Sequence, residues 1–432
     1  MDITSIVLNE DQELGIRAIS NWWAHPRRNF FILEGAAGTG KTTMVKYIIK
    51  NLLNCKPVVS APTNEACRQS MYALEGVAVD VMTTYALFGF SFDTGKVEKE
   101  LVLRKSAEAL GKANLIIIDE CSMINERLLN EIIRIGKQGK KILFLGHSSQ
   151  LPPVMETHKA FDPAESPVFC QEWPTFTLGK VERSSGELLE YIQGIEQLIY
   201  AKSKLFRKGE RARTKDQLRE YIISKEGRAR FKEDEAKILS YSNREVDFWN
   251  TEVRRSLHKG KQLEKYMFKD RILLTNPAET GLFDNISLNK LKEEPSVNLP
   301  TNTRFQIKKI DTVKVAGIPC YKLLTFEHVV IYSAIAEQDV IDLKERMVTD
   351  IYNLKTTEAR VKAFHKLHKV LSCFAKIKHS YAFTTHRSQG MTIPEVWVNW
   401  SDMKITNNLG TRHKLLYVAC SRAKERLFIV EG

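Results

Sequence analysis

Cysteine is scarce in this chain, and nothing groups the few there are. Seven cysteines in 432 residues are scattered, odd in number and without a CxxC pair. That excludes a disulfide framework and a thiolate zinc site as organising devices, and a reducing cytosol is the expected setting. No apolar run approaches the roughly 20 residues that span a bilayer. The N-terminus, MDITSIVLNEDQ, lacks the basic and apolar leader of an exported chain. The expectation is therefore a soluble, cytoplasmic protein with no membrane partner. Acidic residues are outnumbered: 65 Lys and Arg against 52 Asp and Glu leave a net charge of +13. Such a balance suits a polyanionic partner, although lysine-rich solvated faces give the same sum. With 43% hydrophobic residues over this length, the chain can bury large cores and should divide into two or more domains.

What is present begins with LEGAAGTGKTTM, Leu33 to Met44. Gly35, Gly40, Lys41 and Thr42 satisfy G-x-x-x-x-G-K-[ST]. The preceding NFFILE reads as a buried strand, and TTMVKYIIKNLL carries apolar residues at helical spacing, so the glycines sit at a strand-to-helix turn. There the small residues Gly35, Ala36, Ala37, Gly38, Thr39 and Gly40 let backbone N–H groups close on phosphate oxygens, with the helix N-terminus adding its positive end. Lys41 is placed for the outer phosphates, Thr42 for Mg2+, and Thr43 follows in the same turn. ATP and Mg2+ are the cofactors this pattern implies.

Strands and helices alternate to about residue 180, as in a parallel sheet flanked by helices. KPVVSAPT, ANLIIIDE and KKILFLGH are successive buried strands whose carboxyl ends form the ligand crevice of an open sheet. Asp119 and Glu120 follow LIII. A carboxylate to hold hydrated Mg2+ beside one that orients and deprotonates a water is what hydrolysis needs. From Val181 to Lys261 the sequence turns helical and basic; the run from Lys202 to Lys232 reads as a solvated face. Residues 262–376 look inserted, first alternating like a small barrel and then, from Ala336, spaced like helices. A second α/β segment resumes near 377 and runs to the end.

APTNEA, VMTTYALF, IIIDECSM, GHSSQLPPV, VERS, TTHRSQGMT and LLYVACSRAKERL occur in the order of superfamily 1 helicase motifs. The chain resembles that family over nearly its whole length, and in layout it is most similar to phage Dda-type enzymes of the RecD-like branch. The resemblance implies an α/β fold of two RecA-like motor domains, residues 1–180 and residues 181–261 with 377–432. It implies a β-hairpin pin inserted in the first at about 88–103, and an SH3-like barrel plus helical segment at 262–376 in the second. It implies movement from 5' to 3' on single-stranded DNA, action at duplex and fork junctions, replication proteins as partners, a working monomer, and a host's cytoplasm if the chain is phage-encoded.

Residue by residue, the resemblance makes Gln150 the γ-phosphate sensor and Arg183 and Arg422 the arginines of the second motor domain, a task that suits an always-charged, multi-donor guanidinium. Gly390 joins the nucleotide site, and the amide of Gln12 suits adenine because it donates and accepts at once. Thr63, Asn64, Thr83, Tyr85, Thr384 and His386 match positions that touch the strand, with Ser242 and Asn243 as a second grip; loop capping is the plainer reading of these small polar residues. One position departs: His147 stands where the pattern carries aspartate, and a neutral imidazole brings no negative charge. The departure predicts looser coupling of nucleotide state to movement. In LFGFSFDTGKVEKELVL, Phe88, Phe90 and Phe92 alternate at strand spacing about the turn residues Asp93, Thr94 and Gly95. The resemblance aligns Phe92 and Leu101 with the pin's apolar contacts; Phe90 belongs to the same strand.

The sequence thus reads as an ATP-driven helicase. A translocase that displaces bound proteins without efficient unwinding, and a nucleic-acid-binding module with weakened ATPase, remain the alternatives.

Overall fold

The computed structural model describes residues 7–52, 55–93, 100–103, 106–153, 165–181, 186–201, 206, 209–285, 287–288 and 296–432. In chain order the first strands are β1 (Phe30–Gly35), β2 (Pro57–Ala61) and β3 (Asp80–Thr83), then β4 (Phe90–Asp93) and β5 (Glu100–Leu103), which pair only with each other. They are followed by β6 (Leu115–Ile118), β7 (Lys141–Gly146) and β8 (Thr175–Leu178). Six of them form a sheet in the order β3-β2-β6-β7-β1-β8, and its pairs are parallel.

Burial explains the composition of these strands. LIII of β6 is wholly buried and β7 nearly so, because helices cover both faces of a parallel sheet and no face is left for polar residues. The helix Lys41–Asn51 turns Met44, Val45 and Ile48 onto Leu33, Ile117, Leu143 and Leu145. The helix Glu10–Ala24, started by a capping box of Asn9 and Gln12, adds Ile19 and Trp22 to the same core.

Two more strands, β9 (Ala212–Thr214) and β10 (Ala236–Ser240), open a second sheet. Before it is completed the chain passes through β11 (Arg271–Leu274), β12 (Ala278–Thr280), β13 (Val297–Leu299), β14 (Arg304–Val315), β15 (Ile318–Thr325), β16 (Val330–Ala334) and β17 (Ile377–His379). It then forms β18 (Ala382–Thr384), β19 (Ile393–Asn399) and β20 (Ala423–Glu431). The second sheet runs β18-β10-β19-β20-β9, with β10–β19, β19–β20 and β20–β9 parallel. The protein is thus α/β, with parallel sheets flanked by helices.

By compactness the chain divides into residues 1–90 with 103–246 and 383–432, and residues 91–102 with 247–382. Both parallel sheets lie in the first unit. The second holds an antiparallel sheet, β16-β15-β14-β11-β17, and the helices Glu337–Tyr352 and Thr357–Ser372, whose Leu343, Met347, Phe364 and Leu367 share a core with Tyr332 and Cys320. This unit starts inside the helix Asn243–Leu257, earlier than the change of composition at residue 262 suggests, because Arg254 on that helix is committed to it.

Asp270 is fully buried. Its carboxylate accepts from Arg254 Nε at 3.1 Å to each oxygen and from the backbone N–H of Met267 at 2.8 Å, and pairs with His258 Nε2 at 2.9 Å. Burial alone would raise this carboxyl, but hydrogen bonds from His258, His379 and Arg254 hold it well below the usual carboxylate range. Cysteines 67, 121, 320, 373 and 420 are buried, Cys55 is half-buried and Cys170 is exposed.

Asp270→Ala would leave the Arg254 guanidinium buried without its counter-ion, an expected loss of about 3–5 kcal/mol readable by thermal or urea unfolding. Because the folded carboxyl is depressed, its contribution is complete above the ordinary range and is lost as pH falls from about 4 toward the folded value. Wild-type stability should decline across that acid window, and Asp270→Ala should decline less.

Candidate nucleotide and nucleic-acid site

Three neighbouring strands, β6, β7 and β1, bring their carboxyl ends together, and the strongest sequence signals sit on the loops that follow them. After β1 the chain turns through residues 36–40 into the helix Lys41–Asn51. Gly38 at φ 90° and Gly40 at φ 83° occupy the left-handed region, which a side chain makes costly. Space is also short: a Cβ on Gly40 would lie 2.2 Å from Gln12 Nε2, and one on Gly35 2.6 Å from Thr39 Oγ1. Lys41 Nζ donates back to the carbonyls of Gly35 and Ala36, at 3.0 Å to the latter. Gln12 supports the loop from behind. Its Nε2 donates to the Thr39 carbonyl at 3.0 Å and its Oε1 accepts from the Asn9 backbone at 3.1 Å. The amide expected to read adenine is therefore engaged within the fold.

Asp119 continues β6, its N–H donating to the Ser60 carbonyl at 2.7 Å. Its carboxylate accepts from Glu120 N at 2.8 Å and from Ser70 Oγ at 3.3 Å. Burial first, and then the charge of Glu120, raises this carboxyl; Lys41 acts against the shift. Glu120 itself stands at φ 51°, a conformation that a non-glycine residue holds only when its surroundings enforce it. Its Oε2 is buried without a hydrogen-bond partner. Ala37, Gly38, Gly40, Lys41, Thr42, Thr43, Asp119, Glu120, Gln150, Gly390 and Arg422 line one cleft of about 390 Å³. Gly35, Thr39 and Gln12 do not line it.

The loop after β7 carries His147 to Gln150. Ser122 Oγ donates to Gln150 Oε1 and accepts from Gln389 Nε2, each at 3.4 Å, so a polar relay joins a loop of the first sheet to the segment before Gly390. Ser148 donates its N–H to Glu34 Oε1 at 2.9 Å, and its carbonyl accepts from Lys414 Nζ at 2.7 Å. His147 lies 3.0 Å, through Nε2, from Glu196 Oε1. This acid comes from the helix Gly186–Ala201. Burial foremost, then Lys41 and Lys414, lowers His147 to a pKa of about 3, so the contact is a hydrogen bond from a neutral ring. Arg422 is buried, donating from Nε to the Val418 carbonyl at 3.0 Å and from Nη2 to Ser421 Oγ at 2.8 Å. Arg183 lies outside the described residues.

The residues expected along the strand form a second group. Thr63, Thr83 and Thr384 each cap a short helical segment, accepting from Ala66 N, Ala86 N and Arg387 N at 3.1, 3.3 and 3.4 Å. A hydroxyl that accepts from an amide keeps its proton to donate, so capping and nucleic-acid contact are compatible. Asn64 and Asn243 begin helices. Ser242 donates to Asp402 Oδ1 at 2.7 Å, and His386, whose burial lowers its pKa, stands 6.2 Å from the Tyr241 ring. Tyr85 accepts from Asn125 Nδ2 at 3.3 Å.

For the aromatics before the hairpin the structure departs from the spacing argument. Phe88 ends the short helix Thr84–Leu87 and is buried, so the strand starts only at Phe90. Phe90 is itself buried, edge-on to Tyr85 and beneath the Arg127 guanidinium; its ring packs in the fold and is not presented to a base. The side chains of Phe92 and Leu101 lie outside the described residues, as do residues 94–99.

Residues 22–156 match the profile of an AAA domain and residues 379–430 that of a UvrD-like helicase C-terminal domain. An uncharacterized protein of Acanthamoeba polyphaga mimivirus is 24% identical over 98% of this chain and 100% of its own length. The ATP-dependent DNA helicase dda of Enterobacteria phage T4 is 23% identical over 94% of this chain and 95% of its own. A Pif1 helicase from Bacteroides, solved with ADP-AlF3 and single-stranded DNA, superposes with a TM-score of 0.54 at 16% identity, covering 99% of this chain and 93% of that one. The last comparison is a likeness of fold.

Gly40→Ala tests the loop. It forces a side chain into left-handed backbone, costing about 1–2 kcal/mol, and meets Gln12. ATP affinity by calorimetry is expected to fall at least about tenfold, and an unchanged affinity would mean that this turn does not carry the nucleotide.

Proposed function

We propose that this chain, related to the superfamily 1 helicases of the RecD-like branch, is an ATP-dependent DNA helicase that moves 5' to 3' on single-stranded DNA and separates duplex strands. The observation that supports it most is the single cleft in which the glycine loop, Lys41, Asp119, Glu120 and Gln150 of the first sheet meet Gly390 and Arg422 of the second. A site closed by two sheets lets the presence of one phosphate bias the arrangement of both.

The residues fit ATP and Mg2+. The turn at Gly38 and Gly40 leaves backbone N–H groups for phosphate oxygens, Thr42 offers a hydroxyl, and the raised Asp119 carboxyl with the unpartnered Glu120 oxygen is the donor set a hydrated cation would stabilise. Thr42 and, through water, Asp119 would hold Mg2+, which neutralises phosphate charge when bound. Lys41 exchanges its loop carbonyls for the outer phosphates. Glu120 Oε2 takes the proton of the attacking water, whose other contact is Gln150. Arg422, with Arg183, meets the charge that develops on the transferred group.

The same reading makes residues 1–180 the first motor domain, 181–261 with 377–432 the second, and 262–376 an inserted SH3-like barrel and helical segment. Thr63, Asn64, Thr83, Tyr85, Ser242, Asn243, Thr384 and His386 are the grips on the strand, and hydroxyls and amides release each contact at little cost. Phe92 and Leu101 form the apolar contacts of the pin at a fork. The protein works as a monomer in the cytoplasm, a host's if phage-encoded, with replication proteins as further partners. Among the described residues no helix is long and apolar enough to cross a membrane.

The deciding experiment offers duplexes with a 5' or a 3' single-stranded tail. Unwinding from the 5' tail only, with ATPase stimulated by single-stranded DNA, is expected; stimulated ATPase without strand separation would favour a translocase, and binding without turnover a decayed module. Glu120→Gln should keep ATP affinity while turnover falls about 10²-fold or more, and wild-type turnover would remove Glu120 from this role. Phe92→Ala with Leu101→Ala should spare DNA-stimulated ATPase and lower unwinding. A parallel fall of both, with a lower melting temperature, would return the two side chains to the core.

A further inference from the structure

The loop of residues 147–150 is held by elements from both sheets. Glu34, on β1, accepts from Ser148 N, and Lys414, on the helix Leu409–Cys420, donates to the Ser148 carbonyl. Tyr417 of that helix places its ring 5.9 Å from the His147 ring, and its hydroxyl approaches the backbone of Ala37 in the glycine loop. The helix Gly186–Ala201 adds two residues: Glu196 Oε1 is 3.0 Å from His147 Nε2 and accepts from Ser149 Oγ at 3.1 Å, and the Tyr200 hydroxyl lies 3.0 Å from Ser149 Oγ. The helix that carries Glu196 packs on the helix Leu409–Cys420 and on β20, so it belongs with the second sheet.

We propose that Glu196 is a positioning residue that supplies, from the second sheet's side, the carboxylate this loop lacks at His147, and that His147, Ser149 and Glu196 form a latch coupling nucleotide state to movement of the second sheet. The inference deepens the motor reading and rests on it.

An aspartate at position 147 would travel with its own loop. Glu196 instead sits on the far side of the joint, so the contact makes or breaks as the two sides shift. The imidazole suits this arrangement. Kept neutral by burial, Lys41 and Lys414, it donates through Nε2 without adding charge, while Ser149 and Lys41 oppose the rise that burial and Glu34 impose on the Glu196 carboxyl. His147 Nδ1 is buried without a partner, so Glu196 is the ring's polar anchor. The latch also reverses an expectation drawn from sequence. There, His147→Asp would restore a missing charge and tighten coupling; here it sets two buried carboxylates against each other.

The test measures base pairs separated per ATP on a 5'-tailed duplex, with ATP affinity and melting temperature, for wild type, Glu196→Ala, His147→Asp and the double variant His147→Asp with Glu196→Gln. Glu196→Ala is expected to lower separation per ATP about fivefold or more, within the range of allosteric couplings, with affinity unchanged and the protein still folded at the assay temperature, the melting temperature falling only as far as an unpartnered buried imidazole requires. His147→Asp should lose at least as much, and the double variant should recover toward wild type because an amide can donate to the new carboxylate. Unchanged coupling in Glu196→Ala, unfolding of that variant at the assay temperature, or a double variant no better than His147→Asp would each overturn the latch. Wild-type protein lacking DNA-stimulated hydrolysis would instead overturn the motor reading itself.

Discussion

One partly buried cation organises the candidate site. Lys41 lies where it opposes the upward shift of the Asp119 and Glu196 carboxyls and helps to keep His147 neutral. The ammonium, the loop carbonyls and the carboxylates are each partly withdrawn from water, and each limits the cost of desolvating the others. Parallel pairing makes this possible, because only strands that all end at one edge can deliver a glycine turn, an acidic pair and a polar loop to the same few ångströms. The covering helices then exclude water from the face below, and the acids at the edge are left with one another and with Lys41.

Much of this was legible before the fold was known, and the reason is local. A loop that must pass through left-handed backbone at Gly38 and Gly40 writes glycine into the sequence, and a strand buried on both faces writes LIII. What the sequence hid depends on tertiary approach. Glu196 lies in LLEYIQGIEQLIYA, a helix whose apolar spacing says only that one face is buried, and nothing adjacent marks its acid. Ser122 and Gln389 were equally silent, since a serine and a glutamine gain meaning only when the fold aligns them with Gln150. β10 was missed within a helical and basic stretch because AKILS is short and follows good helix formers. Phe88 and Phe90 misled in the other direction. Alternation over three residues cannot separate a strand from a helix end that turns into one.

The threonines before short helices illustrate how structural and functional demands share an atom. Thr83 and Thr384 are the last residues of β3 and β18, and Thr63 follows the end of β2, each at a helix start that leaves N–H groups unpaired. Capping fixes the side chain in one rotamer, so the hydroxyl's remaining valence points in a set direction without further restraint. A surface meant to hold and release a polymer repeatedly gains from such pre-set donors, since little side-chain freedom is lost at each contact.

The pattern of thiol burial has a practical consequence. Cys170 is exposed, and its sulfur neighbours Glu165, whose charge joins partial burial in raising the thiol. Lys414, which donates to the loop after β7, lowers it. Maleimide chemistry at mildly alkaline pH would therefore favour this sulfur in the natural sequence, since five of the other six are buried and carry raised pKa values or no path to reagent. A fluorophore attached there would sit within the electrostatic reach of a lysine that bridges the two sheets, and its emission would follow their relative motion in real time.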